Sequence, residues 1–246
     1  MLKEFTKSFY LAAGECNPQA ELPIPMLLNR VIEIATLHAN SWGVGYATLI
    51  MDNQVWVLTR VTVEMESFPR VNEEYSFTTW IEGYNRLFSQ RNMEIRNHRG
   101  EPVGYVRTIW MVIDFNTRES ADISRLNYIR ENISEKPCPI APQGRLRTVT
   151  SPTETQDHTF AYCECDFNRH VNTTRYVELF LNSFPLSFHD ANMVKRLEIA
   201  FTKETRCGEE VTISKQEEAP LDYYFSIDND GGTHCRAHIT FVPRPQ

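Results

Sequence analysis

The chain has 246 residues, 41% of them hydrophobic and 23% charged, with a net charge of −7 at neutral pH. These proportions fit a globular chain able to bury one large core or two small ones, and the acidic balance argues against non-specific nucleic-acid binding, which needs a basic surface. No stretch reaches the roughly 18 apolar residues needed to cross a bilayer, and no basic-then-apolar leader follows Met1, so a cytoplasmic location away from membranes is expected. The cysteines Cys16, Cys138, Cys163, Cys165, Cys207 and Cys235 show no CxxC spacing and read as reduced thiols rather than as a zinc site.

In chain order, a strand is predicted over 5–12, followed by a loop with Pro18, Pro23 and Pro25. A helix is predicted over 26–40. Leu27, Val31, Ile34, Ala35 and His38 recur at three- and four-residue spacing, Pro25 suits the first turn, and Gly43 and Gly45 follow the end. The period then changes to two, predicting strands over 55–65, 74–80, 89–96 and 102–115. In the first of these, Val57, Thr59, Val61, Val63 and Met65 are expected to share one face. Residues 131–150 hold Pro137, Pro139 and Pro142 without periodicity and read as a linker between domains 1–130 and 151–246.

The plan then repeats. A strand is predicted over 159–165, and a helix over 172–182 with Tyr176, Leu179 and Phe180 on its buried face. Strands are predicted over 191–202, 210–216, 223–228 and 234–242, with the turn Asn229-Asp230-Gly231-Gly232 in the place of Asn97-His98-Arg99-Gly100. Laying Glu73-Glu74-Tyr75 on Glu209-Glu210-Val211 without a gap also sets Val61, Val63 and Met65 on Leu197, Ile199 and Phe201. Two copies of about 110 residues, each a long helix wrapped by a curved antiparallel sheet, predict an α+β tandem (double) hotdog.

The copies differ where chemistry would sit. Asp166-Phe167-Asn168-Arg169-His170-Val171-Asn172 precedes the second helix, where the first copy offers Ala20-Glu21-Leu22-Pro23-Ile24-Pro25. In the ungapped register Glu204 faces Phe68, and all four tryptophans, Trp42, Trp56, Trp80 and Trp110, lie in the first copy. A catalytic C-terminal half and an apolar, shape-defining N-terminal half are therefore expected. A loop entering a helix presents free N–H groups suited to an oxyanion, and a carboxylate, an amide and an imidazole beside it can position water and move protons. Asp166, Asn168 and His170 equally suit loop and helix capping, so the pattern by itself leaves both readings open.

Four stretches carry a family resemblance. They are Asp166-Phe-Asn168-Arg-His170-Val171-Asn172 with Tyr176 four residues on, Val55-Trp56-Val57-Leu58-Thr59-Arg60-Val61, Thr108-Ile109-Trp110-Met111-Val112, and Phe201-Thr202-Lys203-Glu204-Thr205. Together they resemble the acyl-acyl-carrier-protein thioesterases, the plant chain-terminating enzymes and their bacterial relatives, over about residues 5 to 242. The resemblance implies hydrolysis of fatty acyl thioesters of acyl carrier protein, the partner bearing a phosphopantetheine-linked chain. No cofactor is expected, and no second His or carboxylate lies at metal-ligand spacing to His170. It implies Asp166, Asn168 and His170 in the catalytic network and Glu204 as the carboxylate that activates water. Thr205 stands where plant members have a cysteine, so a cysteine nucleophile at that position is excluded, and Cys207 lies beyond the matching register.

An acyl tail needs an apolar lining. Leu27, Val31, Ile34, Trp56, Val61, Phe68 and Trp110 are candidates, with Asn172 at the helix start, although each also suits a plain hotdog core. Arg86, Arg91, Arg96 and Arg99 offer a dock for an acidic carrier protein or, equally, a solvated sheet surface. The same fold serves acyl-CoA thioesterases, 3-hydroxyacyl dehydratases, which could use a histidine with a carboxylate, and non-catalytic acyl sensors; the intact polar set before the second helix argues against a sensor. Two fused copies complete the usual hotdog pair, so a monomer or homodimer is expected.

Overall fold

The computed structural model describes residues 2–124 and 126–245. The chain divides into two compact units, Met1–Pro23 with Leu27–Gln143, and Gly144–Gln246 with Ile24–Met26. In the first unit β1 (Glu4–Tyr10) precedes helices α1 (Ile24–Ser41) and α2 (Tyr46–Leu49), then β2 (Gln54–Met65), β3 (Glu74–Tyr84), β4 (Phe88–Arg96), β5 (Pro102–Asp114) and α3 (Asn127–Glu131). In the second, β6 (Glu154–Thr159) precedes α4 (Thr173–Asn182) and α5 (Leu186–Ala191), then β7 (Asn192–Phe201), β8 (Glu210–Ala219), β9 (Asp222–Asn229) and β10 (Gly232–Pro243).

The antiparallel strand orders are β1-β3-β4-β5-β2 and β6-β8-β9-β10-β7. Counted within each unit both read first, third, fourth, fifth, second, so the units are two copies of one hotdog fold, as the repeat predicts. The helix α1 buries Leu27, Leu28, Val31, Ile34, Ala35, Ala39 and, at its C-cap, Trp42, the stripe expected of a helix with one covered face. Gly43 follows at φ 72°, a left-handed conformation that glycine adopts without a Cβ penalty and that ends the helix.

Two expectations need correction. The strand predicted over 159–165 ends at Thr159, and Tyr162–Glu164 forms a 3-10 turn. The Glu164 carboxylate accepts the Ala161 N–H at 2.7 Å and bonds His158 at 2.9 Å, drawing the chain out of the sheet. The face predicted for β2 is also broken. Leu58 pairs with Trp110 and Arg60 with Ile109, leaving Thr59 as the extra residue of a β-bulge whose hydroxyl donates to the Ile109 carbonyl at 3.0 Å. The bulge shifts the alternation by one, so Trp56 and Leu58, not Val57 and Thr59, share a face with Val61, Val63 and Met65. Val61, Val63 and Met65 themselves are fully buried.

Residues 132–143, read as part of a linker, are irregular yet lie on the sheet of the first unit. Ile133 bridges Ile81 in parallel, and the Ser134 N–H donates to the Ile81 carbonyl at 2.9 Å. The Arg107 guanidinium donates to the carbonyls of Ile140 and Cys138 at 2.8 and 2.9 Å. Beneath this strap Trp80 is fully buried against Cys138 and Ile140, with the Lys136 ammonium 4.7 Å from its ring centroid. Trp80→Ala should cost about 3–5 kcal/mol. The loss would appear as a lower denaturation midpoint together with faster hydrogen exchange across 133–140; unchanged exchange there would show that Trp80 does not hold the strap.

Candidate active site

The loop before α4 is built by one carboxylate oxygen. Asp166 Oδ1 accepts the N–H groups of Asn168 at 2.8 Å and His170 at 3.2 Å, while the Asp166 N–H donates to the His170 carbonyl at 2.8 Å. Closing so tight a loop puts Arg169 at φ 64°. The residues that follow are held on both edges: Val171 N–H donates to the Thr205 carbonyl and Asn172 N–H to the Glu164 carbonyl, each at 2.8 Å. His170 is thereby bridged to Arg206, and its Nε2 lies 3.2 Å from Glu204 Oε2. The His170 side chain is 17% exposed and that of Glu204 40%, so the pair is reachable from solvent.

The neighbouring groups have distinct tasks. Asn168 is half-buried, and its side-chain amide is uncommitted among the described residues. Asn172 is the N-cap of α4; its Oδ1 accepts the Thr174 N–H and hydroxyl, both at 3.0 Å, and its carbonyl accepts the Arg175 N–H at 2.9 Å. Two amides of the first helical turn are therefore already taken. Thr205 is fully buried: the Tyr176 hydroxyl donates to its Oγ1 at 2.8 Å, and that hydroxyl in turn lies 2.7 Å from His234 Nδ1. A hydroxyl so placed props the backbone beside Glu204 and is no nucleophile. Burial pushes the Tyr176 phenol well above its ordinary range and, together with the Lys203 charge, pulls the His234 imidazole down.

The first copy carries the same loop at a different register from the one the sequence suggests. Asn17 Oδ1 accepts the N–H groups of Gln19 at 3.1 Å and Glu21 at 2.9 Å, Ala20 sits at φ 57°, and Leu22 N–H donates to the Pro69 carbonyl at 2.9 Å. Asn17, Gln19 and Glu21 thus answer Asp166, Asn168 and His170, and Glu21 bridges Arg70 as His170 bridges Arg206. The loop therefore begins at Asn17, three residues before the Ala20–Pro25 expected from the sequence, because an amide oxygen closes here the turn that a carboxylate oxygen closes at Asp166. The pairing of Phe68 with Glu204 stands in this register.

The first unit holds a cavity of about 50 Å3 lined by Ala35, Ala39, Trp42, Trp56, Ile81, Ser89, Arg91, Trp110 and Ile129, among others. Of the predicted acyl-lining residues, only Trp56 and Trp110 reach it. Leu27, Val31, Ile34 and Val61 are fully buried core, and Phe68 is half-buried in the loop between β2 and β3. The missed residues continue the α1 stripe one turn further, where the small side chains of Ala35 and Ala39 leave room beneath Trp42. Arg91 is not a surface cation: it is 5% exposed and donates to His38 Nδ1 at 2.9 Å and Thr79 Oγ1 at 3.1 Å. Arg86 and Arg99 are exposed, whereas Arg96 pairs with Glu94.

Because Arg91 can only donate, His38 must accept at Nδ1 and carry its proton on Nε2, which donates to the Leu2 carbonyl at 3.1 Å. Burial and then the Arg91 charge pull the His38 imidazole down to about 4 from 6.5. The neutral ring is therefore the folded form. Its contribution is complete above the unfolded value of 6.5 and is lost as pH falls toward 4.

The family model for the acyl-ACP thioesterase N-terminal domain matches residues 2–128, and that for the acyl-ACP thioesterase C-terminal domain matches residues 149–243. An acyl-ACP thioesterase from Bacteroides thetaiotaomicron superposes with a TM-score of 0.90 at 31% identity, over 98% of both chains. The 12:0-ACP thioesterase from Umbellularia californica shares the fold, with a TM-score of 0.86 at 19% identity over 98% of both chains. A chloroplastic palmitoyl-acyl carrier protein thioesterase of Gossypium hirsutum is 23% identical over 223 residues, 83% of this chain and 52% of that protein. This chain belongs to the acyl-ACP thioesterase family. It spans about half the length of the first plant relatives it matches. Among the described residues no helix is long and apolar enough to cross a membrane, and no group of three or more His, Cys, Asp or Glu side chains is placed to hold a metal ion.

Two predictions follow from the loop and the cavity. Asp166→Asn, which restores the oxygen that Asn17 supplies in the first copy, should keep the fold within about 0.5 kcal/mol, whereas Asp166→Ala should cost about 1–3 kcal/mol. Equal denaturation midpoints for the two would refute the role given to Oδ1. Between pH 7 and pH 4 the wild type should lose roughly 3 kcal/mol more stability than His38→Gln. Urea titrations at the two pH values would read the difference.

Proposed function

We propose that this protein hydrolyses fatty acyl thioesters of acyl carrier protein, releasing the free fatty acid and the carrier thiol. The observation that carries this reading is the His170–Glu204 pair at 3.2 Å, solvent-reachable and set beside the uncommitted Asn168 amide in a chain of this family. Glu204, hydrogen-bonded by His170 Nε2–H, accepts a proton from water as the water oxygen attacks the thioester carbon. The tetrahedral intermediate then collapses, the carbon–sulfur bond breaks, and the proton passes to the departing thiolate. Asn168 holds the water or the pantetheine end, and Asp166 keeps the loop that aims His170.

In this reading residues 151–246 form the catalytic half and 1–130 the acyl-pocket half, with Trp56 and Trp110 facing the tail in the cavity beneath α1. The protein works in the cytoplasm, as a monomer or homodimer, without cofactor. Phe68, which stands where the second copy has Glu204, leaves the first copy without the carboxylate that activates water.

Glu204→Gln and His170→Ala should each lower kcat on an acyl-carrier-protein ester by about 10²–10⁴-fold while the circular dichroism spectrum is unchanged. If both variants kept most of their kcat, the assignment would be wrong. A panel of carrier-protein esters from short to long chains, run beside CoA esters of the same acyl groups, identifies the carrier; faster turnover of the CoA esters would replace carrier protein by CoA.

A further inference from the structure

The cavity beneath α1 is not apolar throughout. Among the rings of Trp42, Trp56 and Trp110 it is also lined by Ser89 and Arg91, two apart on β4 and so on one face of the strand. The Ser89 hydroxyl and the Trp42 indole N–H are buried and lack a hydrogen-bond partner among the described residues. Arg91 uses Nη1 on two neutral acceptors, His38 and Thr79, and its guanidinium carbon lies 5.8 Å from the Trp42 ring centroid. Among the described residues no carboxylate pairs with it. Burial pulls this guanidinium down from 12.5 to about 9, so it remains a cation at neutral pH.

The second copy shows that the fold does not require a cation here. Counting back from the matching turns Asn97–Gly100 and Asn229–Gly232, Tyr223 answers Arg91. The Tyr223 ring packs with those of Phe184 and Phe241 at centroid distances of 4.8 and 6.0 Å. At that position the second copy packs rings, whereas the first keeps a cavity of about 50 Å3 open and lines it with donors. A buried cation without a counter-charge is costly, and a buried donor without an acceptor forfeits its hydrogen bond. A ligand that brings oxygen acceptors and a negative charge removes both costs. An amine would be repelled by the Arg91 charge, and an alcohol or amide would leave that charge unbalanced.

We infer that the cavity of the first unit binds a carboxylate carried on a short apolar chain. Arg91 and the Ser89 hydroxyl hold the carboxylate, and the Trp56 and Trp110 rings cover the chain. Such a group is the head of a free fatty acid or the far end of a dicarboxylic acyl chain. The binding stands without the proposed function; its bearing on turnover rests on that reading.

The test is calorimetric titration of the full chain with hexanoate and with hexanamide, its uncharged counterpart. Hexanoate should bind at least about tenfold more tightly, because a charge-assisted hydrogen bond outweighs a neutral one. Arg91→Met should weaken hexanoate binding at least about tenfold, and Ser89→Ala by about 2–10-fold, with the circular dichroism spectrum unchanged. If Arg91→Met does not fold, Ser89→Ala decides. Absence of hexanoate binding, equal affinity for the two ligands, or binding that the folded variants leave unchanged overturns the site. Turnover separates the two sources of the carboxylate. Faster hydrolysis of an adipoyl than of a hexanoyl carrier-protein ester assigns the far end of the substrate. Inhibition of hexanoyl-ester hydrolysis by hexanoate, relieved in Ser89→Ala, assigns the released acid. If neither is seen, the bearing on turnover is overturned. Should the protein hydrolyse no acyl thioester at all, the functional reading fails while calorimetry still decides the site.

Discussion

One side-chain oxygen at each helix start organises the rest of that end of the fold. Asp166 Oδ1 and Asn17 Oδ1 each gather two backbone N–H groups, two and four residues downstream, and each loop closes with a residue in the left-handed region, Arg169 or Ala20. A single net hydrogen bond contributes only about 0.5–1.5 kcal/mol. Their value here is directional. Once the loop is closed, residues 170–172 can be held on both edges, by the Thr205 carbonyl and the Glu164 carbonyl, and the same Thr205 backbone delivers Glu204 to His170. The distance between imidazole and carboxylate is thus set by backbone bonds rather than by the flexible side chains alone.

The first copy shows how little of this depends on the chemistry it can support. It keeps the loop, the left-handed residue, the edge bond to the Pro69 carbonyl and even polar side chains at Gln19 and Glu21, but Pro23, in the place of Asn172, has no N–H for the other edge. Among the differences between the copies are an imidazole where the first has a carboxylate, and a carboxylate where it has Phe68. Fold and loop are shared scaffolding, and side chains at matching positions distinguish the two copies.

Much of this was legible in the sequence because it is written in local periods. The α1 stripe, the alternation of β3 to β5 and their repetition after residue 150 are each decided by which face meets the core. The Phe68–Glu204 correspondence survived because both strands keep the same apolar phase. Three features were not legible. The bulge at Thr59 inserts a residue without any glycine or proline to mark it, and its effect on Trp56 appears only once β5 is laid alongside. The true partner of Asp166 is Asn17, but matching them requires recognising that an amide oxygen and a carboxylate oxygen close the same turn. The burial of Arg91 turns on His38 and Thr79, which are distant in sequence and carry no pattern that points to it.

The strap over the first unit has a practical bearing on where this chain can be cut. By composition, residues 131–143 look like a disposable tether. In the fold they cover Trp80, satisfy two donors of Arg107 through backbone carbonyls, and bring Lys136 to Glu94 and Glu4. A fragment ending at residue 130 would bare a tryptophan and leave the Arg107 guanidinium with Glu82 but without its two carbonyl acceptors, and would report the solubility of that wound rather than the stability of the hotdog. The natural end of the first unit is Gln143, where the strap finishes its passage across the sheet.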